Sequence, residues 1–471
     1  MKFLASLILT LGLYAQSNDT AKLLQEIIRV NTSNPPGKEG ALAEMLAAKF
    51  KPLGFEIDII QTPDPGKAHL IARLRGDGSK KPILLAAHAD VVGVEREKWT
   101  VDPFAGVIQD GYVFGRGAID FKGGLAVFAQ AAMMLAKNKI KLKRDVIFLS
   151  EADEEGGRYN TAWLAEKHWD KMDCEFSLNE GGWIIKNPAG GPDKGKVRYV
   201  SISTADKSGV SLLLTARGKS THSSMPQPDS AIFTLAKALA KIADYDTKPF
   251  LIPSTKEFFL TLAKTSQPPM SAYFTNLVNG TPEQIAEADR EISKDPLLHA
   301  IMRNTIAPVL MNAGFRGNVI PGSAEATLNF RTIPGTNVAD LIGEMKQVIN
   351  DPRVEITLAT SALGGNRSPE MLARMSKTPP SSQDSELYKA LVRQSKIVYP
   401  EAAVTPYLFQ AGTDSMAWRS RGVPVYGIYP YPIDSEDLSR MHGNDERVSI
   451  ESLRSGTELI YKTLLDVAAQ K

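Results

Sequence analysis

The chain has 471 residues, with Lys+Arg 55 against Asp+Glu 53 and a formal net charge of +2. That length exceeds one typical hydrophobic core and implies about two domains, and a hydrophobic share of 43% with 23% charged residues belongs to an ordinary globular protein. So even a charge balance argues against nucleic acid or an acidic membrane surface as a partner, and a lone cysteine, Cys174, excludes an internal disulfide.

In chain order, residues 1–16 read as a signal peptide: Lys2 supplies the charge, Phe3 to Leu13 the apolar stretch, and Ala15 a small residue for cleavage. The stretch is shorter than the roughly 20 residues needed to span a bilayer, and no later segment is long enough. A secreted or periplasmic location is therefore expected, and a chain of this size has core enough to live there without disulfides.

From Asn18 to Lys51, LLQEIIRV and ALAEMLAAKF carry helical periodicity, broken by Asn34-Pro35-Pro36-Gly37. Strand-like runs FEIDII, HLIARL, PILLAAH, VIFLSE and EFSLNE then alternate with the helical GLAVFAQAAMMLAKNK and TAWLAEKHW, which predicts an α/β sheet. Cys174 is expected as a small buried hydrophobe beside the last of these strands. After Asp206 the pattern changes. VSLLLTARG, EATLNFRTIP and VEITLAT read as strands and SAIFTLAKALAKIADY and ADLIGEMKQVI as helices, a small antiparallel sheet with helices on one face, and Pro253 to Ala307 reads as a helical insertion. The Ser/Pro-rich SKTPPSSQDS marks a return to the first domain, with helix SELYKALVRQSKIVYP, strand PVYGIYP and helix ESLRSGTELIYKTLLDVAAQ. The expected organisation is thus 17–207 and 361–471 as two parts of one domain around an inserted 208–360.

Seven residues form a candidate two-metal hydrolase site: His88 and Asp90 in LLAAHADVV, Asp120 in GRGAIDFKGG, Glu154 and Glu155 in SEADEEGG, Glu180 in SLNEGG, and His442 in MHGNDER. A pair of divalent cations needs a bridging carboxylate, a nitrogen ligand on each side and a further carboxylate on each side. This set supplies them and leaves one aspartate to orient a ligand and one glutamate to handle protons. Three of the segments end β-type runs, and sites in open α/β sheets lie beyond the carboxyl ends of strands.

The sequence resembles the M20 (M20/M25/M40) metallopeptidases and amidohydrolases. The resemblance rests on His88-Ala89-Asp90, Gly115 to Asp120 with Lys122-Gly123-Gly124, Asp153-Glu154-Glu155, Asn179-Glu180-Gly181, Gly218 to Ser224, Asn318 to Pro321, Gly412 to Ser415 and His442-Gly443, in the family's order. It implies a dizinc exopeptidase-like α/β catalytic domain with a mixed sheet, interrupted by a smaller α+β lid that also makes a homodimer. It implies two divalent cations, zinc first, with cobalt or manganese compatible with the same donors. His88, Asp120 and Glu180 would hold one, and Asp120, Glu155 and His442 the other. Asp90 would accept a hydrogen bond from the His88 imidazole, and Glu154 would act as general base and then acid. In the lid, His222 would stabilise an oxyanion and Arg331 would grip a substrate carboxylate, with Asn318 and the backbone at Gly412 assisting. The implied substrate is an amide beside a free carboxylate, most simply the last bond of a small peptide, with an N-acyl amino acid as the alternative. A non-catalytic relative would lack a ligand or the base, and here all are present.

Overall fold

The computed structural model describes residues 19–188, 193–359 and 369–470; the expected signal segment, 1–16, lies outside them. The described residues divide into two compact units, the first comprising those within 1–204, 381–407 and 413–471, the second those within 205–380 and 408–412. Among the described residues no helix is long and apolar enough to cross a membrane.

The first unit is built on an eight-stranded mixed sheet. Its strands are β1 (Glu56–Gln61), β2 (Ala68–Leu74), β3 (Ile83–His88), β4 (Val146–Glu151), β5 (Phe176–Lys186), β6 (Val197–Asp206), β7 (Ala403–Phe409) and β8 (Val425–Ile433), in the order β1-β2-β4-β3-β5-β8-β6-β7. β3 runs parallel to β4 and β5, and β8 parallel to β5, while β1, β2 and β6 pair antiparallel. β3 and β4 are buried along their whole length, as an apolar run covered on both faces requires. The helix Lys122–Lys137 is buried from Lys122 to Leu135 without a break. It packs between β3 and the C-terminal helix Ile450–Ala468, which is why its sequence is apolar on every side. The parallel pairing puts His88 in register with Glu151, so the loops that follow β3 and β4 leave the same sheet edge.

β5 differs from its expectation as a short strand stopping at Glu180: it runs on through Gly181 and Gly182 to Lys186. The glycine pair reads as a break, yet here it lets neighbouring strands close in. A side chain on Gly182 would sit 2.0 Å from the Ser201 carbonyl oxygen, and one on Gly181 2.9 Å from the Ser203 side chain. Glu180 therefore lies inside a strand. β6 and β7 were also not expected.

The second unit has a four-stranded antiparallel sheet in the order Thr305–Ala313, Ser323–Thr332, Ser208–Arg217, Val354–Leu358. Helices Ala231–Ala243 and Val338–Ile349 bury Leu235, Ala238, Leu341 and Met345 against Leu212, Leu214, Leu328 and Phe330. The helical insertion ends earlier than expected. Four helices between Pro253 and Met302 are followed by a strand from Thr305, where Pro308 is tolerated because the strand is at the edge and irregular between Pro308 and Leu310.

Candidate metal centre

All seven candidate residues of the first unit meet at one place. Asp120 is central. Its Oδ1 lies 3.2 Å from His88 Nε2 and its Oδ2 3.0 Å from His442 Nε2, so each carboxylate oxygen faces a different imidazole. On the first side Glu180 Oε2 is 3.7 Å from His88 Nε2, and on the second Glu155 Oε1 is 3.1 Å from His442 Nε2. His88, Asp120 and Glu180 form one group whose ligand atoms all lie within 4.8 Å, and Asp120, Glu155 and His442 form another. One imidazole and two carboxylates on each side, with one carboxylate shared, is a donor set that fits a pair of divalent cations.

The loop carrying Asp120 is held by a group that sequence reasoning missed. Glu446 is fully buried and accepts hydrogen bonds from the amides of Gly117 (3.0 Å), Ile119 (2.7 Å) and Asp120 (3.0 Å), and from Arg116 Nη1 (2.7 Å). The same guanidinium donates to the carbonyls of His442 (3.3 Å) and Gly443 (2.8 Å), tying the two ligand loops together. His442 has a φ of 59°, a left-handed conformation that a side chain adopts only when its surroundings enforce it. Tyr429, also missed, brings its hydroxyl 3.0 Å from Asp120 Oδ1 and 2.9 Å from Glu180 Oε2, with its ring stacked 4.3 Å from Trp183. Neither contact had a local signal, because both residues are distant in sequence from the ligands they orient.

Asp90 does more than face His88. His88 Nδ1 donates to the Asp90 backbone carbonyl at 3.0 Å, with the Asp90 carboxylate 3.7 Å from the same nitrogen. That carboxylate also accepts the amides of Glu154 (3.1 Å) and Glu155 (2.9 Å), and so positions both glutamates. His69 holds the same loop by its ends: its Nδ1 accepts from the Ala152 amide at 3.1 Å and its Nε2 donates to the Tyr159 carbonyl at 2.9 Å.

The electrostatics follow from crowding carboxylates and imidazoles away from water. Burial alone would push His88 down, but Asp120, Asp90 and Glu180 together hold its pKa well above the ordinary imidazole value. Hydrogen bonds to Asp120 and Glu155 push His442 up to about 10. Burial would raise Asp120, and the two imidazoles pull it below the carboxylate range. Glu154 is mostly covered, and burial followed by the charge of Glu180 raises its carboxyl well above the usual value. Such a concentration of opposed charge is the environment that bound cations would neutralise.

The remaining candidates lie in the second unit. His222 and Val319 pair in a two-stranded ladder, and the Ser223 amide donates to the Asn318 carbonyl at 3.0 Å, so His222 and Asn318 are neighbours. The His222 Nδ1 accepts from the Ser224 amide at 3.2 Å, which leaves Nε2 to carry the proton. Arg331 is exposed, with Nη1 4.0 Å from where a side chain on Gly412 would begin. Lys207 lies beside it. Burial, then the charges of Arg331 and Arg303, push its ammonium down to about 7.

Comparison with known proteins identifies the family. The sequence profile of Peptidase family M20/M25/M40 matches residues 84–466. A probable carboxypeptidase S-like protein of Dictyostelium discoideum is 33% identical over 391 residues, 82% of this chain and 71% of the relative. The human N-fatty-acyl-amino acid synthase/hydrolase PM20D1 is 29% identical over 405 residues, 84% of this chain and 76% of the relative. An M20 family metallo-carboxypeptidase from Sulfolobus solfataricus shares the fold with a TM-score of 0.66 at 20% identity, over 95% of this chain and 98% of that one. The chain belongs to Peptidase family M20/M25/M40, the metal-dependent peptidases and amidohydrolases.

Proposed function

We propose that this chain is an exported dizinc amidase that cleaves an amide bond beside a free carboxylate, acting as a carboxypeptidase on small peptides. The observation that carries the reading is Asp120, whose two oxygens each face a separate imidazole–carboxylate group. When bound, such a cation pair polarises a carbonyl and makes water a better nucleophile at neutral pH. Nitrogen and oxygen donors of this kind suit zinc, and cobalt or manganese are compatible.

Glu154 takes the proton of the attacking water and returns it to the leaving nitrogen, its carboxylate serving first as base and then as acid. Asp90 keeps Glu154 and Glu155 in place through their amides. His222 donates from Nε2 to the developing oxyanion. Arg331 takes the substrate carboxylate, assisted by Asn318 and the backbone at Gly412. Export rests on residues 1–16. A homodimer through the second unit rests on the edge strand Thr305–Ala313, which exposes Leu310 (51%) and Met311 (73%).

A second reading has an observation in its favour. The human relative at 29% identity bears the name of an N-fatty-acyl-amino acid synthase/hydrolase, and an N-acyl amino acid presents the same amide beside a carboxylate. A panel of blocked dipeptides, N-acetyl and N-fatty-acyl amino acids, and their C-terminal amides, assayed with added zinc, tests both. Cleavage should require the free carboxylate, with peptides turned over fastest. Equal cleavage of the amidated compounds would remove the carboxylate requirement, and faster cleavage of acyl amino acids would select the second reading.

A further inference from the structure

We infer that Asn34 is a positioning residue for the proton-handling loop, setting Glu154 and Glu155 in place by clamping Asp90 to Asp153; the inference rests on the role given to those glutamates above. Asn34 opens the Asn34-Pro35-Pro36-Gly37 break between the first two helices, a segment otherwise read as a simple interruption. That segment is fastened to the end of β3: the Asn34 amide donates to the Val91 carbonyl at 2.9 Å, and Thr32 Oγ1 to the Ala89 carbonyl at 2.7 Å.

Every hydrogen-bonding group of the Asn34 side chain is engaged. Its Nδ2 lies 2.8 Å from Asp90 Oδ2 and 2.8 Å from Asp153 Oδ1, one for each amide hydrogen, and its Oδ1 accepts from Lys67 Nζ at 3.0 Å. Asp153, ion-paired with Lys67, closes the following turn by accepting the amides of Arg158 (3.0 Å) and Tyr159 (2.6 Å). The turn begins with Asp153 at a φ of 66°, so it needs outside support. Asp90 holds the other end through the Glu154 and Glu155 amides. Asn34 thus bonds both aspartates. It is 8% exposed, and Asp90 and Asp153 are more deeply buried still.

The steric evidence is independent of these bonds. A side chain on Gly156 would meet Asn34 Nδ2 at 2.4 Å and Oδ1 at 2.6 Å, so the loop lies directly on the amide. A neutral amide is needed there. An aspartate of the same shape would remove both donors and set a third carboxylate between two that already face each other.

The test uses the full-length chain and the isosteric Asn34→Asp variant, with amide hydrogen exchange in the metal-free protein. Exchange at Glu154, Glu155, Arg158 and Tyr159 should accelerate about tenfold or more, while the amides of β3 and β4 stay protected. Zinc titration of the same variant should show the Glu155–His442 side weakened by about 10–100-fold, and kcat should fall with KM within about twofold. Lys67→Gln, which removes the ammonium that bonds both Asn34 and Asp153 but introduces no carboxylate, should shift the same four amides if Asn34→Asp does not fold. Unchanged loop exchange, acceleration spread evenly over the strands, or failure of both variants to fold would overturn the assignment. A wild-type protein that binds no zinc would instead defeat the metal reading and leave the exchange result to judge Asn34.

Discussion

At the scale of residues, Glu154 and Glu155 are neighbours with opposite expected phenotypes. Glu154→Gln keeps the shape but cannot carry a proton. It should retain metal and lose about a hundredfold or more in kcat, measured beside metal content. Glu155→Gln should instead lose metal on the His442 side. In the second unit, His222→Ala should reduce kcat on the order of 10²–10³-fold with little change in KM, and Arg331→Ala should chiefly raise KM; steady-state kinetics with a C-terminal-carboxylate substrate separates the two. His69 gives a pH signature. Burial, only partly offset by the Tyr159 carbonyl and by Asp153 and Asp90, and aided by nearby His168, lowers it from 6.5 to about 4. Between those values the unfolded chain takes up a proton that the native state refuses, so stability rises with pH and is lost as pH falls from 6.5 to 4. The full window amounts to about 3 kcal/mol. In urea unfolding of the metal-free protein, the advantage of wild type over His69→Gln should shrink between pH 7.5 and 4.5. A constant difference would mean that His69 is not held neutral.

At the scale of elements, the central strands and the long helices were legible because burial on both faces leaves unmistakable apolar runs, as in ILLAAH and VIFLSE. The glycine pair in β5 misled because a glycine that ends a strand and a glycine that admits a neighbour look alike in sequence. Gly182→Ala decides between the two. With a backbone oxygen 2.0 Å from the new methyl group, the substitution should destabilise by about 1–3 kcal/mol or more, seen as a lowered denaturant midpoint. A neutral result would mean that β5 and β6 do not approach as described. Only Thr305 to Ala307 of the edge strand were read as helical insertion, and Pro308, a residue that counts against a strand, is tolerated there because the strand lies at the edge. Three of the candidate segments were legible as ends of apolar runs and Asp120 as an aspartate between glycines, while the assignment of ligands came with the family resemblance. Glu446, Arg116 and Tyr429 were not legible, since their roles arise only where loops far apart in the chain touch.

At the scale of the whole molecule, seven side chains from five segments converge because the parallel β3 and β4 deliver their loops to a common edge and buried partners then fix the ligand loops around them. If the exposed edge strand joins two copies and His222 serves the partner's site, mixing inactive His222→Ala with inactive Glu154→Gln chains should restore part of the activity. No recovery despite subunit exchange would place His222 in its own chain's site or outside catalysis. The central claim is a pair of cations bridged by Asp120, and metal content per chain tests it most directly. Protein purified without chelator and reconstituted with zinc should carry two equivalents by elemental analysis, falling to about one on removal of His442 or Glu155. A single equivalent in fully active wild-type protein would contradict it.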